Sequence, residues 1–349
     1  MDTNEPHITI AAALRRALVL VAAALIVASG IVSTTRPSEA APQQSTEQGY
    51  GWPVKPFNRP HPVRANFGDP RMVFHGPATL RTLLDGTGSF SFHFGIDIYA
   101  PDGTAVYPVR SGTAIVRHQV RMEVDSGAGF SAQYWHVRPV VADGQHVEAG
   151  KTVIGYVIPG HDHVHFTELE NGKPVNPLAP GHIEPYVDTT QPTVSRISFR
   201  MSETGRDIPA EFLHGRVLLI AAAFDMPAER VPGEWGNLPV APARLTWHIA
   251  RADTGRTIVP EREAFDVRHT MPSNDDFWSY YARGSRQNMT GFGGRRFWLQ
   301  PGEYLYKLQP QPFDTRTLHN GVYALVVTAS DTGGNHASLR QVFTVHNDS

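Results

Sequence analysis

The sequence contains no cysteine. That excludes disulfides, thiolate metal ligands and a cysteine nucleophile, so any bound metal must be held by nitrogen and oxygen donors. Excess charge is missing too: 31 Lys and Arg stand against 33 Asp and Glu, a formal net charge of -2. Nothing in that balance argues for nucleic acid or an anionic membrane surface as a partner. Helical periodicity is scarce after residue 40, and neither an internal repeat nor a low-complexity tract occurs. What remains is 31 Gly and 28 Pro spread between short β-type runs, with 41% hydrophobic residues. This composition predicts an all-β globular protein, long enough for two domains.

A single long apolar run, residues 17–32, follows Arg15 and Arg16. Ser38 and Ala40 then supply the small residues of a cleavage site before Ala41. This is the three-part pattern of a secretory signal. A spanning helix needs about 20 apolar residues, so a cleaved signal is favoured over a retained anchor. The expected location is periplasm, cell wall or extracellular space, with residues 17–32 as a tether if the signal stays.

Residues 41–60 contain Pro, Gln and Ser and read as a linker. From 61 to 190 short strand candidates alternate with turns: 94–99, 104–109, 113–120, 130–137, 152–157 and 163–169. Asn171-Gly172 after the last of these is a type I′ hairpin signal, because both residues tolerate positive φ. Past a composition shift near 189–193, longer strands are expected at 194–199, 216–224, 243–250, 322–329 and 339–345. Residues 251–320 read as an insertion or long loops. Gly321-Val322-Tyr323 leading into Asp331-Thr332-Gly333-Gly334-Asn335 resembles the last hairpin of bacterial immunoglobulin-like sandwich domains. A β-sandwich is therefore expected over 191–349.

Five residues carry the chemistry: His93, Asp97, His136, His163 and His165. Imidazole and carboxylate are the ligands zinc takes in catalytic sites. Strand residues two apart share a face, so His163 and His165 look into one groove with Val164 behind them. His93 and Asp97 are four apart, and a straight strand would separate their Cα atoms by roughly 13 Å. Ligands sit about 2 Å from zinc, so that distance makes joint ligation hard. Gly95 is the residue best able to bend the chain between them, and a kink is expected there. Two imidazoles and a carboxylate leave one position for water, the mark of a catalytic zinc. The spare histidines would serve as general base and as donors to a tetrahedral oxyanion.

His93-x3-Asp97, Tyr134-x-His136 and His163-x-His165-Phe166 resemble the motifs of the lysostaphin and LytM type of zinc metallopeptidases, which cut peptide bridges in bacterial peptidoglycan. Phe67-Gly68-Asp69-Pro70-Arg71, Ala100-Pro101-Asp102-Gly103-Thr104, Val147-Glu148-Ala149-Gly150-Lys151 and Asn171-Gly172-Lys173-Pro174 are similar to that family in the same order, over about residues 63–180. The resemblance implies an antiparallel β-sheet with a groove across it over 61–190. It implies one Zn²⁺ per chain on His93, Asp97 and His165, with His136 and His163 as the catalytic pair. It implies hydrolysis of peptidoglycan cross-links or stem peptides through a zinc-activated water. Peptidoglycan peptides would be the substrate, and residues 191–349 would meet the wall or an envelope partner. The chain departs from the family where Thr167 stands between Phe166 and Glu168, and in the short loop carrying His161 and Asp162. These departures affect groove shape and specificity more than metal binding.

Plainer readings exist. His161, His163 and His165 could form a surface His-rich tract, His136 a hydrogen-bonded strand histidine, Asp97 a turn cap. Accepting all three makes the ordered motifs a coincidence. Arg71 is open between a groove residue and a solvated charge, and His118 and His146 read as surface. The rival functions are a non-catalytic relative that binds peptidoglycan or activates an amidase, and an adhesion or scaffold protein. The first is disfavoured because all five positions are intact. The bond cut, whether in a pentaglycine bridge or a D-Ala to diaminopimelate link, is not legible.

Overall fold

Strict alternation builds the first sheet. Phe130, Ala132 and Tyr134 are buried in the strand Phe130–Trp135, and Met122 and Val124 in its neighbour Arg121–Gly127. Period-two burial is what a sheet with one covered face demands. The computed structural model describes residues 49–73, 89–293 and 296–347; the signal pattern at 1–40 lies outside them. The chain is almost wholly β, with antiparallel sheets, as composition predicts.

The main sheet has eight strands. Its order is Val63–Ala65, Ile96–Tyr99, His163–Glu170, Phe130–Trp135, Arg121–Gly127, Gly112–Ile115 and His146–Val147, with Lys173–Val175 also paired to His163–Glu170. The central strand pairs His165 with Asp97 on one side and with Trp135 on the other. The Asn171-Gly172 hairpin forms as expected, with φ of 50° and 75°.

Three expectations are corrected. The strand expected at 113–120 ends at Ile115, and beyond the polar Arg117-His118-Gln119 a further strand, Arg121–Gly127, was not expected. It was hidden because its outward residues, Arg121, Glu123 and Asp125, are charged. Part of the expected linker is core: Tyr50, Trp52 and Val54 are buried, and the Tyr50 hydroxyl donates to Glu168. Residues 251–320 are structured, contributing the strands Thr257–Asp266 and Leu305–Lys307, a hairpin of Met289–Gly293 with Arg296–Gln300, and a short helix Phe277–Tyr280.

After residue 190 two antiparallel sheets face one another. One orders Asp207–Ile208, Thr193–Met201, Arg216–Phe224 and Leu305–Lys307; the other orders Thr257–Asp266, Arg244–Arg251, Gly321–Ser330 and His336–Val345. Phe199 meets Phe343 between them, ring centroids 5.4 Å apart.

Among the described residues no sheet mixes strands from before and after residue 190, yet one apolar cluster runs through both parts. Phe92 is fully buried against Phe265, Phe277 and Tyr281, at centroid distances of 6.4, 5.2 and 5.8 Å. The Tyr281 hydroxyl donates to the Gly68 carbonyl at 2.8 Å, and Asn176 Nδ2 donates to the Val267 carbonyl at 2.9 Å. Removing residues after 190 would therefore expose Phe92, which directly precedes His93. Phe265→Ala should cost about 3–5 kcal/mol and lower a single calorimetric transition for the whole chain. Two separate transitions, with only one moved, would show that the junction carries no shared stability.

Candidate active site

His93 lies just before the strand Ile96–Tyr99, and the chain bends at Gly95. A Cβ at Gly95 would collide with the Phe166 carbonyl oxygen and crowd Thr167 Oγ1. The glycine is thus required by close approach of two backbones, and the bend returns the His93 ring to Asp97. His93 Nε2 lies 3.1 Å from Asp97 Oδ1 and 2.8 Å from His165 Nδ1, and His165 Nδ1 lies 3.0 Å from Asp97 Oδ1. All three residues are buried.

This triangle fits a tetrahedral ion. Donors about 2.0–2.1 Å from zinc sit roughly 3.3 Å apart in a tetrahedron, close to the observed edges. Hydrogen bonds behind the rings set the tautomers. His93 Nδ1 is 2.8 Å from the Asn66 carbonyl and donates to it, which turns the Nε2 lone pair inward. In the tautomer able to ligate through Nδ1, His165 donates from Nε2 to Thr167 Oγ1 at 3.0 Å. Arg71 Nη2 donates to Asp97 Oδ2 at 2.8 Å, leaving Oδ1 to the triangle. Burial, then the Arg71 charge, pushes the His93 pKa down to about 3, so its lone pair is available at neutral pH. Burial alone would raise the Asp97 carboxyl, but His93, His163 and Arg71 outweigh it and hold it well below the usual range.

His163 and His165 share a face of the strand His163–Glu170, with Val164 buried behind, as period two requires. His163 Nε2 stands 3.7 Å from Asp97 Oδ1. Its Nδ1 is 2.7 Å from Arg64 Nη2 and 2.6 Å from the His161 carbonyl. His136 does not continue its strand. It sits between Phe130–Trp135 and Val137–Pro139 with φ of 62°, a conformation uncommon for non-glycine residues and concentrated at functional sites. That turn places its ring 4.5 Å from His163 and 4.4 Å from His161, the latter stacked. Burial lowers the His136 pKa to about 4 and the His163 pKa to about 3, so both rings are neutral at pH 7. Phe94 and Trp135 border His165, with centroids at 4.8 and 5.8 Å.

The structure thus brings all five expected residues together. Sequence reasoning missed Arg64, Asn66 and the supporting parts of Asp102 and His161. Asp102 accepts from the Gly160 and Asp162 amides at 2.6 and 3.1 Å and so shapes the loop that delivers His161 and His163. Thr167, noted only as a departure, is the partner of His165. Arg71, left open, is an ion-pair partner of Asp97.

Residues 91–177 match the model of peptidase family M23. That stretch is similar to the M23 peptidases. Among solved structures, a zinc-containing peptidase from Vibrio cholerae is 23% identical, with a TM-score of 0.29, over 37% of this chain and 39% of that one. The catalytic domain of lysostaphin from Staphylococcus simulans is 20% identical, with a TM-score of 0.26, over 34% of this chain and 89% of that one. Pseudoalterin, an M23 metalloprotease from the deep sea, is 17% identical, with a TM-score of 0.28, over 46% of this chain and 93% of that one. This chain therefore spans well under half the length of the Vibrio protein. No curated protein matches it.

Within the M23-like stretch, His165→Ala should abolish metal retention, whereas His136→Ala should spare it while lowering activity. Loss of metal from both variants would refute the division of roles. Thr167→Val should weaken metal affinity or activity by roughly 10- to 100-fold, the usual effect of removing a partner behind a ligand, and metal titration of the purified variant checks this.

Proposed function

We propose that the protein is an exported zinc metalloendopeptidase acting on peptide cross-links or stem peptides of bacterial peptidoglycan. The observation that carries this reading is the triangle of His93 Nε2, Asp97 Oδ1 and His165 Nδ1, with edges of 2.8, 3.0 and 3.1 Å, inside the M23-like stretch. The signal-like pattern at 1–40 supports export. Residues 61–190 are read as the catalytic domain and 191–349 as an immunoglobulin-like sandwich that also meets an envelope partner.

Zn²⁺ held by His93, Asp97 and His165 would polarise the substrate carbonyl and make water nucleophilic near neutral pH. The side chains do the rest. His136 is neutral and takes the proton of the attacking water as general base. In the tautomer that accepts from Arg64 at Nδ1, rather than donating to the His161 carbonyl, His163 keeps a proton on Nε2 facing the site. That N–H donates to the carbonyl oxygen as it gains negative charge. His136, once protonated, returns its proton to the departing amine. Phe94 and Trp135 keep bulk water from the His165 side, which strengthens each of these interactions.

Purified protein should hold one zinc per chain and release peptides with new amino termini from isolated wall, read by mass spectrometry. Chelation should stop release and added zinc restore it. Full zinc occupancy without cleavage of any wall fragment would leave a binding protein rather than a peptidase. The pH profile offers a second check. A base whose pKa is lowered stays unprotonated to lower pH, so with His136 near 4 the acid limb of kcat/KM should fall well below the ordinary histidine value of about 6.5. An acid limb at that ordinary value would remove His136 from the role of base.

A further inference from the structure

A pocket of about 150 Å³ opens beside the metal-ligand triangle and shares Asp97 with it. Arg64, Arg71 and Asp69 line it from before residue 190, and Trp235 and Gln287 line it from beyond. Its polar lining sets the donors of Arg64, Arg71 and Gln287 beside the carboxylates of Asp69 and Asp97, while Asn288 is taken up by the Pro239 carbonyl at 2.6 Å and the Gly302 amide at 2.7 Å. The Arg64 guanidinium lies 4.3 Å over the Trp235 ring and meets the neutral His163 ring. Gln287 uses its carbonyl oxygen on the Met72 amide at 2.9 Å, which leaves its NH₂ group to donate. The two carboxylates are already engaged: Asp97 accepts from Arg71, and Asp69 accepts from the Ala241 amide at 2.8 Å. Arginine forks of this kind recognise planar, two-oxygen anions, and a flat indole face beneath the guanidinium holds it in place.

We infer that this pocket is a subsite for a carboxylate of the substrate, placed beside the scissile amide, and that Trp235 and Gln287 give the carboxy-terminal half a direct part in specificity. The inference rests on the peptidase reading. It selects among substrates that reading leaves open. A D-Ala to diaminopimelate link carries a carboxylate on the carbon attached to the scissile nitrogen. A pentaglycine bridge carries none, so it is excluded as the preferred substrate.

The test uses the full zinc-loaded chain and two synthetic D-Ala–diaminopimelate cross-links that differ only in carboxylate or carboxamide at that carbon. The carboxylate form should show a kcat/KM roughly 10- to 100-fold higher, the range of one or two hydrogen bonds to a charged group. Calorimetry with the matching diaminopimelate-containing products should show the same preference in binding. Arg64→Gln should bring both ratios close to one, Arg64→Lys should keep part of them, and Trp235→Ala should reduce them while leaving the His163 contact intact. A purely structural role for Arg64 through His163 would slow both substrates alike and preserve the ratio, and that outcome overturns the subsite. Equal handling of acid and amide by the unaltered protein overturns it as well. If neither cross-link is cut but product binding still favours the carboxylate and loses that preference in Arg64→Gln, the subsite stands and the peptidase reading falls.

Discussion

Three lone pairs pointed at one another are the constraint on which this molecule is built. His93 Nε2, His165 Nδ1 and Asp97 Oδ1 converge at 2.8–3.1 Å. Such a cluster repels itself unless a cation relieves it, so the surrounding structure has to hold it in place. Each member is tied from behind by a different group: the Asn66 carbonyl, the Thr167 hydroxyl and the Arg71 guanidinium. Each of those partners sits on backbone fixed by strand pairing or by the junction with the second half. Asn66 itself donates to the Ala241 carbonyl at 3.0 Å, which carries the support across that junction.

The second half is therefore more than an appendage. Its aromatic residues bury Phe92 immediately before the first ligand, and its Ala241 caps Asp69 next to Arg71. Burial drives Asp69 up to about 7, so the charge balance near Arg71 depends on how well that cap is maintained. Trp235 and Gln287 then reach the wall of the site. A region that composition suggested as loops is in fact what packs against the lead-in to the metal ligands.

Much of this was legible because it is local. Period-two spacing placed His163 and His165 on one face, and Asn171-Gly172 announced its hairpin. Gly95 signalled a bend, although the reason proved to be contact with the Phe166 carbonyl rather than an unusual φ. What escaped notice was non-local or disguised. Arg121–Gly127 alternates charged with apolar residues, but the segment is short and ends in Ser126-Gly127, so its pairing is plain only beside Phe130–Trp135. Thr257–Asp266 carries three charged residues in a row, Glu261-Arg262-Glu263, which mask its pairing with Arg244–Arg251. Arg64 lies 99 positions from His163, and no spacing rule links them.

The sequence alone narrowed the donor chemistry: with no cysteine, any ion must be held by nitrogen and oxygen donors, and the family resemblance implied which ones. It determined an all-β chain through its turn residues and alternation. The tertiary structure decided which ring nitrogens of His93 and His165 face Asp97, where Arg64 and Arg71 direct their charge, and that residues after 190 line the pocket beside the site. Those choices depend on hydrogen bonds and burial between segments far apart in the chain, and such contacts exist only once the strands have found their partners.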